Sequence, residues 1–227
     1  MNRKTANPRP GRPPGGHGGM TLVEIMTVLG ITSLILGGLF SFFIQSLNIY
    51  HFDSGKLLVN RDMRTFTAEM SDNATFANYF VIYPSFTERA LTIDGVTSNN
   101  KIYPGQSGNM LVLVYLDPAD DSKISRIVGY YRDPNESDGE APVRKFERSF
   151  SPSSTENLWT LLPATTTAQT NPEVIELSRN IGSQSLFYNF YGRSVLVKCD
   201  IIHRTNTGAN RYERATNTYN FTVSPRG

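Results

Sequence analysis

From Ile25 to Ile44 the chain runs 20 residues without a formal charge. At about 1.5 Å per helical residue this run matches the roughly 30 Å hydrocarbon core of a bilayer, and it predicts a transmembrane helix. Gly30, Gly37 and Gly38 lie inside it, small residues that permit close helix approach in a membrane or soften the helix locally. No proline occurs between Met20 and Tyr83, so any bend in that stretch falls to the glycines. Past the run the pattern turns amphipathic. Val59, Met63, Phe66 and Met70 recur at spacings of four, three and four, while Arg61, Asp62, Arg64 and Glu69 are expected off that stripe. The stripe predicts a helix able to cover one face of a sheet, and Asp53-Ser54-Gly55 reads as a break between the two halves. A helix from Met20 to about Phe76 would be roughly 85 Å long, far beyond a globular helix; membrane anchorage of one half accounts for the length.

From Tyr79 onwards the pattern shifts towards strands. The expected strands are Phe80–Tyr83, Met110–Leu116, Ile124–Arg132, Val143–Phe150, Leu186–Tyr191, Ser194–Arg204 and Thr218–Val223, rich in β-branched and aromatic residues and separated by Asp-Pro, Asn-Pro, Asp-Gly and Ser-Gly breaks. Val195, Val197, Cys199 and Ile201 alternate with Leu196, Lys198, Asp200 and Ile202, the pattern of a half-buried strand, which makes Cys199 a small core residue. Pro152–Pro172, with Thr165-Thr166-Thr167 inside it, reads as a long loop with Trp159 as the packing residue beneath it. No internal repeat is visible. Together the elements predict an α+β fold: one long N-terminal helix, transmembrane in its first half and amphipathic in its second, packed on an antiparallel β-sheet.

Charge changes the picture of the N-terminus. The formal net charge is +2, but Arg3, Lys4, Arg9 and Arg12 all precede Gly19, and without these four the chain has 18 basic against 20 acidic side chains. The remainder offers no global electrostatic case for nucleic-acid binding, and no nucleic-acid partner is expected. The four basic residues predict a cytoplasmic N-terminus by the positive-inside rule, and put the region after about Phe43 on the far side of the membrane. One cysteine allows no intrachain disulfide, and His17, His51 and His203 are spread too widely for a zinc constellation. There is no G-x-S-x-G, Walker loop or H-E-x-x-H, so neither a catalytic residue nor a cofactor or metal is assigned, and the chain is not read as an enzyme.

Two oxygen-rich stretches invite a calcium reading: Asp117, Asp120 and Asp121, and the run from Asp133 to Glu140. The second starts like an EF-hand loop, but its glycine comes one place late and no distal glutamate follows in register, so solvated hairpin loops are expected at both. Arg204, Arg211, Tyr212 and Arg214 offer basic and aromatic groups to an anionic surface or single-stranded DNA; with Glu213 among them they read as a polar hairpin tip.

Glu24 stands at the mouth of the apolar run, where an unpaired carboxylate is expensive to bury. Before it come a basic stretch rich in Pro and Gly, then small residues, the reverse of the order in a secretory signal, where the cleavage site follows the apolar stretch. With G-G-M-T-L-V-E at Gly18–Glu24, this start resembles the prepilin leader of type IV pilins and type II secretion pseudopilins. The competing reading is an ordinary signal anchor with a stray acid near the interface. The resemblance implies a prepilin peptidase cutting between Gly19 and Met20, N-methylation of Met20, and pairing of Glu24 with the N-terminal amine of a neighbouring subunit during filament assembly. It divides the chain into a cleaved leader (1–19), a transmembrane helix (20–47), a periplasmic amphipathic helix (48–78) and a β-rich globular domain (79–227). The expected partners are other pilins or pseudopilins through the N-terminal helix, the prepilin peptidase and the inner-membrane assembly platform. Size and the absence of a C-terminal disulfide loop make the chain more similar to a minor subunit, of the J-type pseudopilin or W-type minor pilin, than to a major pilin. A surface-displayed adhesin, a DNA-uptake minor pilin and a membrane-anchored periplasmic binding protein stay open as alternatives.

Overall fold

The computed structural model describes residues 19–134, 141–175, 179–181, 185–206 and 212–225. The chain divides into two units, Met1–Leu47 and Asn48–Gly227. One helix, α1 (Leu22–Phe76), begins in the first and continues into the second. The fold is α+β, with a long N-terminal helix packed on antiparallel sheets as the hydrophobic pattern predicts.

In the first unit every residue of α1, from Leu22 to Leu47, is exposed; Leu34, for instance, is 79% exposed. In the second unit α1 carries a buried stripe of Gly55, Val59, Asp62, Phe66, Met70 and Ala74, with Met63 half-buried beside it. Two expectations change here. The helix does not break at Asp53-Ser54-Gly55: Gly55 is the first residue of the buried stripe, and the packing of that stripe outweighs the weak helix propensity of three residues. Asp62 is buried rather than off the stripe, three residues after Val59 and so on the same face, with the Arg61 guanidinium 3.6 Å from its carboxylate.

Among the described residues twelve strands follow: β1 (Tyr79–Tyr83), β2 (Ala90–Ile93), β3 (Val96–Asn99), β4 (Ser107–Gly108), β5 (Met110–Asp117), β6 (Asp120–Arg132), β7 (Val143–Ser154), β8 (Glu173–Ile175), β9 (Arg179–Ile181), β10 (Phe187–Phe190), β11 (Ser194–Asn206) and β12 (Tyr212–Val223). All seven predicted strands are present. β2, β3, β4, β8 and β9 escape the pattern because each is four residues or fewer, too short to show a period, and lacks the aromatic run that marks the equally short β10. The first sheet runs β1-β5-β6-β7-β8, the second β12-β11-β10-β4 with β9 added on β11, and β2-β3 form a separate hairpin. Its turn, Asp94-Gly95, has φ of 51° and 78°, the two left-handed positions of a type I′ turn that Asp-Gly suits.

The main core lies between the α1 stripe and one face of both sheets. Phe66 meets Tyr130 edge-on at 5.8 Å, and Ile82, Leu111, Leu113, Val128, Phe187, Val195, Val197 and Cys199 join it. A second core covers the opposite face of the first sheet: Tyr83, Phe86, Val112, Val114, Ile127, Tyr131 and Phe146 pack against Leu158, Leu161, Leu162 and Ala168. Residues 152–172 are therefore no open loop. β7 runs to Ser154, a short helix α2 spans Leu158–Leu161, and a 3₁₀ turn spans Thr165–Thr167. The three leucines pack beneath this segment while Trp159 is only half-buried, which corrects the role expected of the tryptophan. Tyr131 Oη donates to the Ala168 carbonyl at 2.6 Å and Arg148 donates to the Leu161 carbonyl at 2.8 Å, tying the cover down. Burial pushes the Tyr131 phenol up to about 12.

Candidate functional site

α1 starts with four backbone N–H groups that no helical carbonyl can satisfy. Thr21, the residue before its first turn, and Glu24 close two of them reciprocally. The Glu24 N–H donates to Thr21 Oγ1 at 3.3 Å, while Glu24 Oε2 accepts from the Thr21 N–H at 3.0 Å and from Thr21 Oγ1 at 3.2 Å. This is a capping box, and its carboxylate also faces the positive end of the helix dipole. The Thr-x-x-Glu spacing announces it in the sequence, yet reading Glu24 only as a charge partner overlooks it. Glu24 is exposed, and its Oε1 makes no hydrogen bond among the described residues, so a further donor has an oxygen to reach. Gly19 and Met20 precede the cap, both exposed, Met20 by 69%. Gly18 and the basic stretch lie outside the described residues.

The surface that follows is apolar. Leu22, Val23, Met26, Leu29, Leu34, Phe40 and Phe42 are all exposed, and α1 is long and apolar enough to cross a membrane. Thr27 satisfies its hydroxyl on the carbonyls of Val23 and Glu24, at 3.0 and 2.9 Å, so it brings no unpaired polar group.

The acidic stretches do other work. Asp117 accepts from the Ser153 hydroxyl at 2.7 Å and the Ala119 N–H at 2.9 Å, which hold its carboxyl below the usual range. The Ser122 hydroxyl, Lys123 and the Ser122 N–H bring Asp120 down to about 2, while Asp121 is exposed. These contacts close the β5–β6 turn. Asp133 is buried against Arg144, Nε to Oδ2 at 2.7 Å, and Arg144 also reaches Glu173 at 2.8 Å and the Asn171 carbonyl at 2.7 Å. The rest of that run, residues 135–140, lies outside the described residues. Among the described residues no three His, Cys, Asp or Glu side chains gather to hold a metal ion. In the β11–β12 hairpin Arg204 stands opposite Arg214 and Asn206 opposite Tyr212; their side chains, and Arg211 altogether, lie outside the described residues. Cys199 is buried in the main core.

Sequence reasoning also misses a polar seam between α1 and the first sheet. Asn73 donates to Tyr130 Oη at 2.8 Å, Tyr115 Oη donates to the Asn73 carbonyl at 2.6 Å, and Lys145 Nζ lies 2.5 Å from Glu69. Burial first, and the Glu69 charge second, push the Tyr130 phenol well up. The seam ties the helix to the sheet in one register. No protein-family model matches the chain, and no curated protein and no solved structure is significantly similar to it.

Proposed function

We propose that this chain is a minor pilin-like (pseudopilin) subunit of a type II secretion or type IV pilus filament, helping to initiate or cap assembly. The observation that carries the reading is the stretch Gly18–Glu24 placed directly at the start of α1: small residues, then Met20, then a carboxylate in the first helical turn. The exposed apolar length of α1 supports it, since a surface of that kind is covered by lipid before assembly and by other helices after it. So does the passage of the same helix into a stripe that covers a sheet domain. In this reading a prepilin peptidase cuts between Gly19 and Met20 and methylates the Met20 amine. Glu24 caps its own helix through Oε2 and offers Oε1 to the methylated amine of a neighbouring subunit. The globular unit sits in the periplasm, and assembly runs through the N-terminal helices on the inner-membrane platform.

Intact-mass and N-terminal peptide analysis of protein extracted from bacterial membranes tests the processing step. The expected product begins with N-methylated Met20. A mature chain that still carries Arg12 overturns the reading.

A further inference from the structure

β10 lies between β4 and β11, and among the described residues only one of its faces is covered. Phe187 points into the core, while Tyr188 is half-buried and Phe190 47% exposed on the other face, their ring centroids 6.4 Å apart. Across the ladder that open face continues with Leu196 and Lys198 on β11 and with Asn220 and Thr222 on β12.

Two hydrogen-bonded turns extend it. Tyr103-Pro104-Gly105-Gln106 closes with the Gln106 N–H on the Tyr103 carbonyl at 3.1 Å and Gly105 at φ 87°, a type II turn. Phe190-Tyr191-Gly192-Arg193 has φ of 53° and 71° at its centre, a type I′ turn with tyrosine where asparagine or glycine fits without strain. The turns are bonded to each other: the Gly105 N–H donates to the Asn189 carbonyl at 2.9 Å, the Asn189 N–H to the Gln106 carbonyl at 3.0 Å, and the Gly192 N–H to Asn189 Oδ1 at 2.8 Å. They hold Tyr103 at 64% and Tyr191 at 75% exposure, with Tyr191 edge-on to Phe190 at 4.9 Å. A bulky ring kept exposed on a strained backbone contributes little to the fold, and such strain marks functional positions.

The charged residues nearest the rings along the chain are cations. Lys101, Arg193 and Lys198 are exposed and make no ion pair among the described residues. No acid occurs from Gly95 to Leu116 or from Leu177 to Cys199; Asp200 is the next acid along β11. Exposed rings interleaved with unpaired cations suit a ligand that carries flat faces and negative charges in alternation. We infer that this face, Tyr103, Tyr188, Phe190 and Tyr191 with Lys101, Arg193 and Lys198, binds single-stranded nucleic acid, bases stacking on the rings and phosphates meeting the cations. A duplex hides its base faces and offers the rings nothing. The whole-chain charge argument concerns long-range attraction and does not bear on a local face. The inference stands independently of the filament reading.

The test uses the full-length protein in detergent micelles and a labelled oligothymidylate, followed by fluorescence anisotropy over a salt series. Binding is expected above the level of empty micelles, with a slope of log affinity against log salt of about −2 for three neutralised phosphates. Tyr191→Asn, which suits the left-handed backbone, should weaken binding about 5- to 100-fold with the salt slope and the thermal melt preserved. Tyr103→Ser should act in the same direction from the other turn. Arg193→Gln together with Lys198→Gln should instead flatten the slope by about 1.4. Absence of binding overturns the inference, as does full affinity in both tyrosine variants. Equal competition by polygalacturonate, an anionic chain without bases, also overturns it and leaves a merely electrostatic surface. None of these outcomes bears on where the leader is cut.

Discussion

Glu24 carries two tasks on one carboxylate: closing the cap of its own helix and, in the proposed filament, neutralising a neighbour's amine. Substitutions separate them. Glutamine serves a capping box as well as glutamate does but has no charge, whereas alanine removes both functions. Membrane level and topology should stay near wild type in Glu24→Gln and Glu24→Ala, since insertion follows the apolar length of α1. Assembly should not, because a cation left unpaired in a buried site costs about 3–5 kcal/mol. Crosslinking between subunits in membranes, with expression matched, is therefore expected to fall in both variants, and Glu24→Asp to recover part of it with a shorter reach. Wild-type crosslinking in Glu24→Gln would show that the cap alone matters. The box itself is legible in Thr21-x-x-Glu24, whereas the division of the carboxylate between a bonded Oε2 and an open Oε1 is visible only in the structure.

Between β5 and β11 the hydrophobic pattern differs for a reason visible only in three dimensions. β5 is an unbroken apolar run, Met110 to Leu116, because α1 covers one face of its sheet and residues 152–172 the other. β11 alternates between buried and exposed or half-buried residues from Val195 to Cys199 because its sheet is covered on one face. On β6, Gly129 leaves room for the Phe146 ring: a Cβ placed there would lie 2.1 Å from its atoms. The ring is buried against Phe86 and Tyr131, so it can make room only by shifting within that packing. Gly129→Ala should cost about 1–3 kcal/mol, read as a lowered midpoint in denaturant with the slope preserved. An unchanged midpoint would mean that the second core yields more readily than its packing implies.

At the scale of the whole molecule the two units ask for different surroundings. The first exposes an apolar helix, while all the buried residues of α1, Gly55 to Ala74, belong to the second, with both cores. A chain beginning at Asp53 keeps that stripe complete and places an acid at the new helix start, where the dipole favours it. It should be soluble, melt cooperatively, and protect Cys199 from thiol reagents until the melt, since that side chain lies within the core. Labelling of Cys199 well below the transition, or a melt without cooperativity, would show that the second unit needs the residues before Asp53.

The sequence by itself determined the length and apolar character of α1, the covering stripe Val59–Met70 and the strands long enough to show a period, because burial of one face leaves its repeat in the residue order. It also held the Gly18–Glu24 stretch and the Thr21–Glu24 cap, whose partners lie within a few positions. Tertiary structure alone decided the rest. It kept the helix whole through Asp53-Ser54-Gly55, buried Asp62, turned a supposed loop into the cover of a second core, and paired Asp133 with Arg144. It also brought Tyr103 beside Phe190 and Tyr191, more than 80 residues away along the chain, through two turns that bond each other. Such contacts depend on which distant strands become neighbours, and local periodicity carries no record of that choice.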